Sequence, residues 1–198
     1  MPKIADAKIA ILATHGYERS ELRQPLEQLR AKGAEVHVIS PEDGEIKSWD
    51  KTDWGDAVPV DRTLSTASPQ DYDALVLPGG QINPDILRAN PEAVAFVKAF
   101  VDGGKTVAAI CHGPWLLIEA GAVKGRDVTS YHSITTDMKN AGGHWQDAEV
   151  VVDNGIVTSR KPDDIPAFIA KVVEEIEEGQ HPRAGGEATA REDAPAGP

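Results

Sequence analysis

Four short apolar runs, with helical patterns between them, limit what this chain can fold into. Residues 8–13 (KIAILA) are the first. They end in Thr14-His15-Gly16-Tyr17, and from Glu18 to about Lys32 the apolar Leu22, Leu26 and Leu29 recur at helical spacing on one face. Lys32-Gly33 is a helix stop signal, and residues 35–40 (EVHVIS) read as the second strand. Residues 72–80 (YDALVLPGG), a helical segment over 91–101 and the β-prone run 106–110 repeat the unit. Strands alternating with helices predict an α/β fold with a mostly parallel sheet, whose ligands bind beyond the carboxyl ends of the strands. Glu18, Gly79-Gly80 and Cys111 each follow a strand end, so they are expected on one edge. Residues 44–68 contain Trp49 and Trp54 and few helix signals. They are expected to form a β-hairpin-like insertion near a subunit interface. The tryptophans either anchor contacts there or cap the core.

Cys111 is the only cysteine. It follows the run 106–110 and precedes His112-Gly113-Pro114, after which residues 115–118 (WLLI) supply a buried helical face. Pro suits a first helical turn, so Cys111 and His112 fall on a sharp strand-to-helix turn with the plan of a nucleophile elbow. Helix N–H groups aimed at the sulfur are expected to lower its pKa. A lone cysteine is otherwise a small buried hydrophobe. Glu18 either shares a proton with the Cys111 thiol or is an ordinary first-turn carboxylate. Gly79 and Gly80 either offer N–H groups as half of an oxyanion hole, the other half being the N–H of His112, or form a simple loop. His112 is a candidate general base.

Composition narrows the classes further. The 198 residues suffice for one domain with a full core, and the net charge of −12 disfavours nucleic acid as a partner. One cysteine excludes an internal disulfide framework and suits a reducing cytosol, so a cytoplasmic location is expected. No apolar run approaches membrane-spanning length. No cysteine or histidine spacing suggests zinc, and the Gly-x-x-x-x-Gly-Lys phosphate loop is absent, so neither a metal nor a cofactor is expected. The folded domain is expected over residues 1–178. Residues 179–198 read as a polar tail.

The segments ALVLPGG, AAICHGPWLLIEAGAVKGR, TSYHSITTDMKNAGGHW and DAEVVVDNGIVTSRKPDDIPAF resemble the PfpI branch of the ThiJ/PfpI superfamily, from about residue 8 to 178. The resemblance implies a flavodoxin-like three-layer sandwich with a reactive elbow cysteine. It implies a carboxylate at Glu18 bonded to Cys111, and oxyanion donors from Gly80 and His112. It pairs His112 with an acidic residue of a neighbouring subunit, for which Asp85 is the matching position, in a loop one residue longer than that of relatives. Tyr131 matches a pocket tyrosine, and His132 is expected as pocket wall. Glutamine amidotransferase relatives carry a late His-x-Glu that neither His144 nor His181 reproduces, so glutaminase chemistry is rejected. The implied function is a cysteine hydrolase acting on small carbonyl, glycated or peptide substrates in stress protection, as a homo-oligomer. The alternative is a redox-responsive stress protein or chaperone whose Cys111 oxidises to sulfinic acid.

Overall fold

The computed structural model of the protein describes residues 3–181; most of the expected tail lies outside them. Strand β1 (Lys8–Leu12) leads through a short β2 (Tyr17–Glu18) into helix α1 (Arg19–Ala31) and strand β3 (Glu35–Ser40). A hairpin follows, β4 (Glu45–Asp50) and β5 (Asp53–Pro59), then the short β6 (Arg62–Thr63). Next come β7 (Ala74–Leu77), α2 (Ile82–Arg88), α3 (Pro91–Asp102), β8 (Thr106–Ile110) and α4 (Pro114–Glu119). The last part holds β9 (Asp127–Val128), α5 (Thr135–Asn140), β10 (His144–Trp145), β11 (Val150–Asp153), β12 (Ile156–Ser159) and α6 (Ile165–Glu178).

Seven strands form the central sheet in the order β11-β12-β8-β7-β1-β3-β6. Only β11 pairs antiparallel; the other pairings are parallel. A parallel sheet is covered on both faces, which is why its strands read as continuous apolar runs. In β1, Ile9 and Ile11 face one core and Ala10 and Leu12 the other. Leu22, Leu26 and Leu29 of α1 and Phe168, Ile169, Val172 and Ile176 of α6 cover the first face. Phe96, Val97 and Phe100 of α3 and Leu116 and Leu117 of α4 cover the second. Each buried Phe or Leu contributes about 1.5–3 kcal/mol. The result is the three-layer, flavodoxin-like sandwich expected from the sequence.

The registers Leu12↔Ile39, Leu77↔Ala109 and Ser159↔Ile110 bring the ends of β1, β3, β7, β8 and β12 to one edge. The loops after β1, β7, β8 and β12 therefore share that edge. The β4–β5 hairpin forms as the sequence suggested, and it joins the edge because Glu18 of β2 pairs with Trp49 of β4. Trp49 and Trp54 meet edge to face with ring centroids 5.5 Å apart, and Trp54 stays exposed. No described helix is long and apolar enough to cross a membrane.

Candidate active site

Cys111 follows β8 with a φ of 63°, in the left-handed region that side-chain-bearing residues rarely enter. Backbone bonds hold it there: its N–H donates to the Ser159 carbonyl (3.0 Å) and its carbonyl accepts from the Tyr131 N–H (2.9 Å). Gly113 must lack a side chain, since a Cβ would lie 2.4 Å from the Leu77 carbonyl oxygen. Pro114 then opens α4. This is the elbow the sequence predicted.

The carboxylate beside the sulfur is Glu21, not Glu18. Glu18 is the N-cap of α1, where its Oε2 accepts from the Glu21 N–H (2.9 Å) and the Ser20 hydroxyl. Its other expectation, that of a helix-start carboxylate, is the one the geometry gives. Glu21, three residues on, points inward and is fully buried. Its Oε2 accepts from the Gly79 N–H at 2.8 Å, and its carboxyl also bonds the Cys111 thiol. Burial and the nearby Glu18 charge raise its pKa to about 8. The signal was available: α1 buries the stripe Glu21, Leu22, Pro25, Leu26 and Leu29, and Glu21 extends the Pro25 row by one turn.

The thiol also departs from expectation. Burial raises its pKa and the Glu21 charge raises it further, while the N–H groups of Gly80 and His112 pull the other way. A helix-terminus field was expected to lower it; desolvation outweighs that field because Cys111 is 7% exposed. The two amides expected as oxyanion donors thus favour the thiolate form of Cys111.

The Pro78-Gly79-Gly80 loop is fixed by a residue that sequence reasoning missed. Buried Asn83 donates through Nδ2 to the carbonyls of Pro78 (3.0 Å) and Gly79 (3.1 Å) and accepts from the Thr14 N–H (2.8 Å). A Cβ on Gly79 would lie 2.5 Å from Glu21 Oε2 and 2.7 Å from Cys111 Cβ. Glycine therefore lets backbone, carboxylate and sulfur meet.

His112 is 3% exposed, and burial holds its pKa down to about 4. Its Nδ1 lies 3.2 Å from Cys111 Sγ and its Nε2 3.0 Å from Ser133 Oγ. The ring stacks on Tyr131 (5.0 Å) and meets the edge of Trp115 (5.1 Å). His132 packs against Tyr131, with ring centroids 4.3 Å apart. Asp85 lies on α2 and is exposed, and its side chain bonds to no described residue.

A cavity of about 420 Å³ opens over Cys111, lined by Glu18, Glu21, Trp49, Lys51, Gly80, Ile82, His112 and Tyr131 among others. That volume suits a small organic molecule. His132 and Asp85 do not line it. Away from it, Glu175, Glu178 and His181 bring possible metal-ligand atoms within 4.8 Å of one another, though the His181 ring is already engaged by Glu175 (3.2 Å).

A family model described as the DJ-1/PfpI family matches residues 7–175. A deglycase of Thermococcus kodakarensis is 46% identical over 166 residues, 84% of this chain and 97% of that protein. General stress protein 18 of Bacillus subtilis is 47% identical over 163 residues, 81% of this chain and 92% of that one. A solved two-domain protein of Anabaena variabilis, containing DJ-1/ThiJ/PfpI-like and ferritin-like domains, superimposes with a TM-score of 0.82 at 36% identity. It covers 87% of this chain, which spans 48% of that structure. From the sheet and both helical layers to the Cys111 turn, the likeness takes in almost all of the described chain, and the protein belongs to the DJ-1/PfpI family.

Proposed function

We propose that this protein is a cysteine-dependent enzyme of the hydrolase type, acting on carbonyl compounds or on glycated or peptide substrates. The observation that carries the reading is the Cys111 sulfur 3.2 Å from His112 Nδ1, beside buried Glu21, in the lining of a cavity of about 420 Å³. The deglycase name of the 46% identical relative supports the carbonyl class.

The groups suit addition to a carbonyl. At neutral pH His112 is neutral and Glu21 largely keeps a proton. The thiol proton moves to His112 Nδ1, the sulfur bonds the carbonyl carbon, and the carbonyl π pair moves onto oxygen. That oxygen then takes the proton back, giving a hemithioacetal from an aldehyde. The Gly80 and His112 N–H groups, which favour negative charge on the sulfur, would serve the new oxyanion as donors. With an acyl carbonyl the same addition opens peptide hydrolysis.

The second reading is a redox-responsive stress protein. Two amides and a protonated Glu21 around one sulfur would also hold sulfinate oxygens. The general stress protein name of the 47% identical relative favours it. Conversion of methylglyoxal to lactate by purified protein, lost in Cys111→Ala, is the expected result. No conversion by the wild type, with peroxide adding two oxygens to Cys111 by mass spectrometry, would replace the first reading by the second. A homo-oligomer in the cytoplasm, with Asp85 near a neighbour's His112, belongs to the same proposal.

A further inference from the structure

We propose that Ser133 is a positioning residue for His112, whose hydroxyl sets the imidazole tautomer and links the buried Cys111–His112 pair to solvent. The inference rests on the reading of Cys111 as the reacting group and names how that group exchanges its proton.

His112 has almost no contact with water of its own, lying between Tyr131 and Trp115 at 3% exposure. Its two ring nitrogens have one partner each, Cys111 Sγ at 3.2 Å and Ser133 Oγ at 3.0 Å. Ser133 itself is exposed. It sits in the short 3₁₀ turn His132–Ile134, and that turn is tied to the elbow. The Tyr131 N–H donates to the Cys111 carbonyl (2.9 Å), and the Ile134 N–H donates to the Tyr131 carbonyl (3.2 Å). The hydroxyl and the sulfur are thus registered to each other through a few backbone atoms.

A neutral imidazole carries one proton and must choose a nitrogen. With the proton on Nε2, Ser133 Oγ accepts it and Nδ1 is free to accept from the thiol. With the proton on Nδ1, that nitrogen donates to the sulfur, and Nε2 accepts from the Ser133 hydroxyl. A hydroxyl serves both tautomers because it can donate and accept; a carboxylate can only accept, and its charge favours a doubly protonated ring. Loss of the thiol proton to solvent, in the protein without substrate, then needs no buried imidazolium. The S–H proton goes to Nδ1, the Nε2 proton to Ser133 Oγ, and the Ser133 proton to water. Three bonds to hydrogen break and three form, and the ring stays neutral throughout. The low pKa of His112 is in keeping with this, since burial disfavours the charged ring.

The experiment uses the full chain with Ser133→Ala, Ser133→Thr and Ser133→Asp. Two readouts need no substrate: the ¹⁵N resonances of the His112 ring across pH, and the pH profile of Cys111 alkylation by iodoacetamide. The expected result is a changed Nδ1/Nε2 pattern and a displaced alkylation profile in Ser133→Ala, both restored in Ser133→Thr. In Ser133→Asp the His112 pKa should rise by more than one unit. Where turnover of methylglyoxal is measurable, kcat in Ser133→Ala should fall about tenfold with KM within about twofold. Unchanged ring resonances together with an unmoved alkylation profile in Ser133→Ala would overturn the proposal. Absence of turnover in the wild type would count against the carbonyl reading alone, because the resonances and the alkylation profile still report on the serine.

Discussion

Whether the proton of the Cys111–Glu21 pair sits on sulfur or on oxygen depends on a carboxylate with no access to water. Glu21 binds its proton more tightly in the folded protein, with a pKa of about 8, than in the unfolded chain at its ordinary 4.5. A raised pKa of this kind stabilises the fold fully below about pH 4.5, and the contribution is lost as pH rises through about 8. Glu21→Gln keeps the shape and never ionises, so it should gain on the wild type between about pH 5 and 8, by a few kcal/mol in urea unfolding. A difference that stays constant over that range would mean that Glu21 is not the titrating group. Glu18→Ala should instead cost about 1 kcal/mol near pH 5, the worth of a helix cap, and less toward pH 8, because the Glu18 charge that helps raise the Glu21 pKa is gone. The sequence singled out Glu18 because it follows the first strand most directly. What separates the two glutamates is the phase of α1, which sends the residue three positions past the cap inward. That phase is read from Leu22, Pro25, Leu26 and Leu29 rather than from either glutamate.

At the scale of elements, β1, β3, β7, β8, α1 and α3 were legible because each carries its own period and its own stop signals, whereas the elements after α4 were not read individually. Residues 107–110 and 74–77 are apolar throughout since both faces are covered, and Asn90-Pro91 announces α3 with a cap that accepts from the Glu92 and Ala93 N–H groups. The elbow was legible for the same reason, a buried strand running into Gly113-Pro114. The loop after β7 was less so: its glycines were visible, but the side chain that clamps them, Asn83, lies in a different element and acts through the carbonyls of Pro78 and Gly79. Ser133 was invisible for a similar reason, since it is 21 residues from His112 and meets it only once Tyr131 is bonded to Cys111. The closeness of loop and elbow gives a direct prediction. Gly79→Ala would put a methyl 2.5 Å from Glu21 Oε2 and 2.7 Å from Cys111 Cβ, with the Ile110 carbonyl oxygen 2.8 Å away. The expected cost is about 1–3 kcal/mol of stability, with slowed alkylation of Cys111, because the sulfur and the carboxylate must move apart. Wild-type stability and alkylation rate in Gly79→Ala would show that the loop has slack the close contacts do not suggest.

For the molecule as a whole, a net charge of −12 opposes close approach of two copies unless apolar surface compensates. The described residues leave three large hydrophobic side chains exposed, Trp54, Ile82 and Ile86, and two of them are one helical turn apart on α2. Asp85 lies between them, exposed on the same helix. Ile82 also lines the cavity over Cys111, so a second copy docking on α2 would reach the rim of the site. The proposed homo-oligomer is therefore expected to use this face. Ile86→Glu, which adds a charge to an apolar contact, should shift the mass in sedimentation toward the monomer at micromolar concentration. An unchanged mass would place the association elsewhere, and a monomeric wild type would end the proposal. Asp85→Ala then asks what the neighbour contributes. Within one chain His112 Nε2 is already bonded to Ser133, so an incoming carboxylate must displace the hydroxyl or bond to it. If Asp85→Ala lowers turnover in an oligomer of unchanged mass, the carboxylate acts on the His112–Ser133 pair across the interface. If turnover is unchanged, one chain orients its own histidine, and association serves stability rather than chemistry.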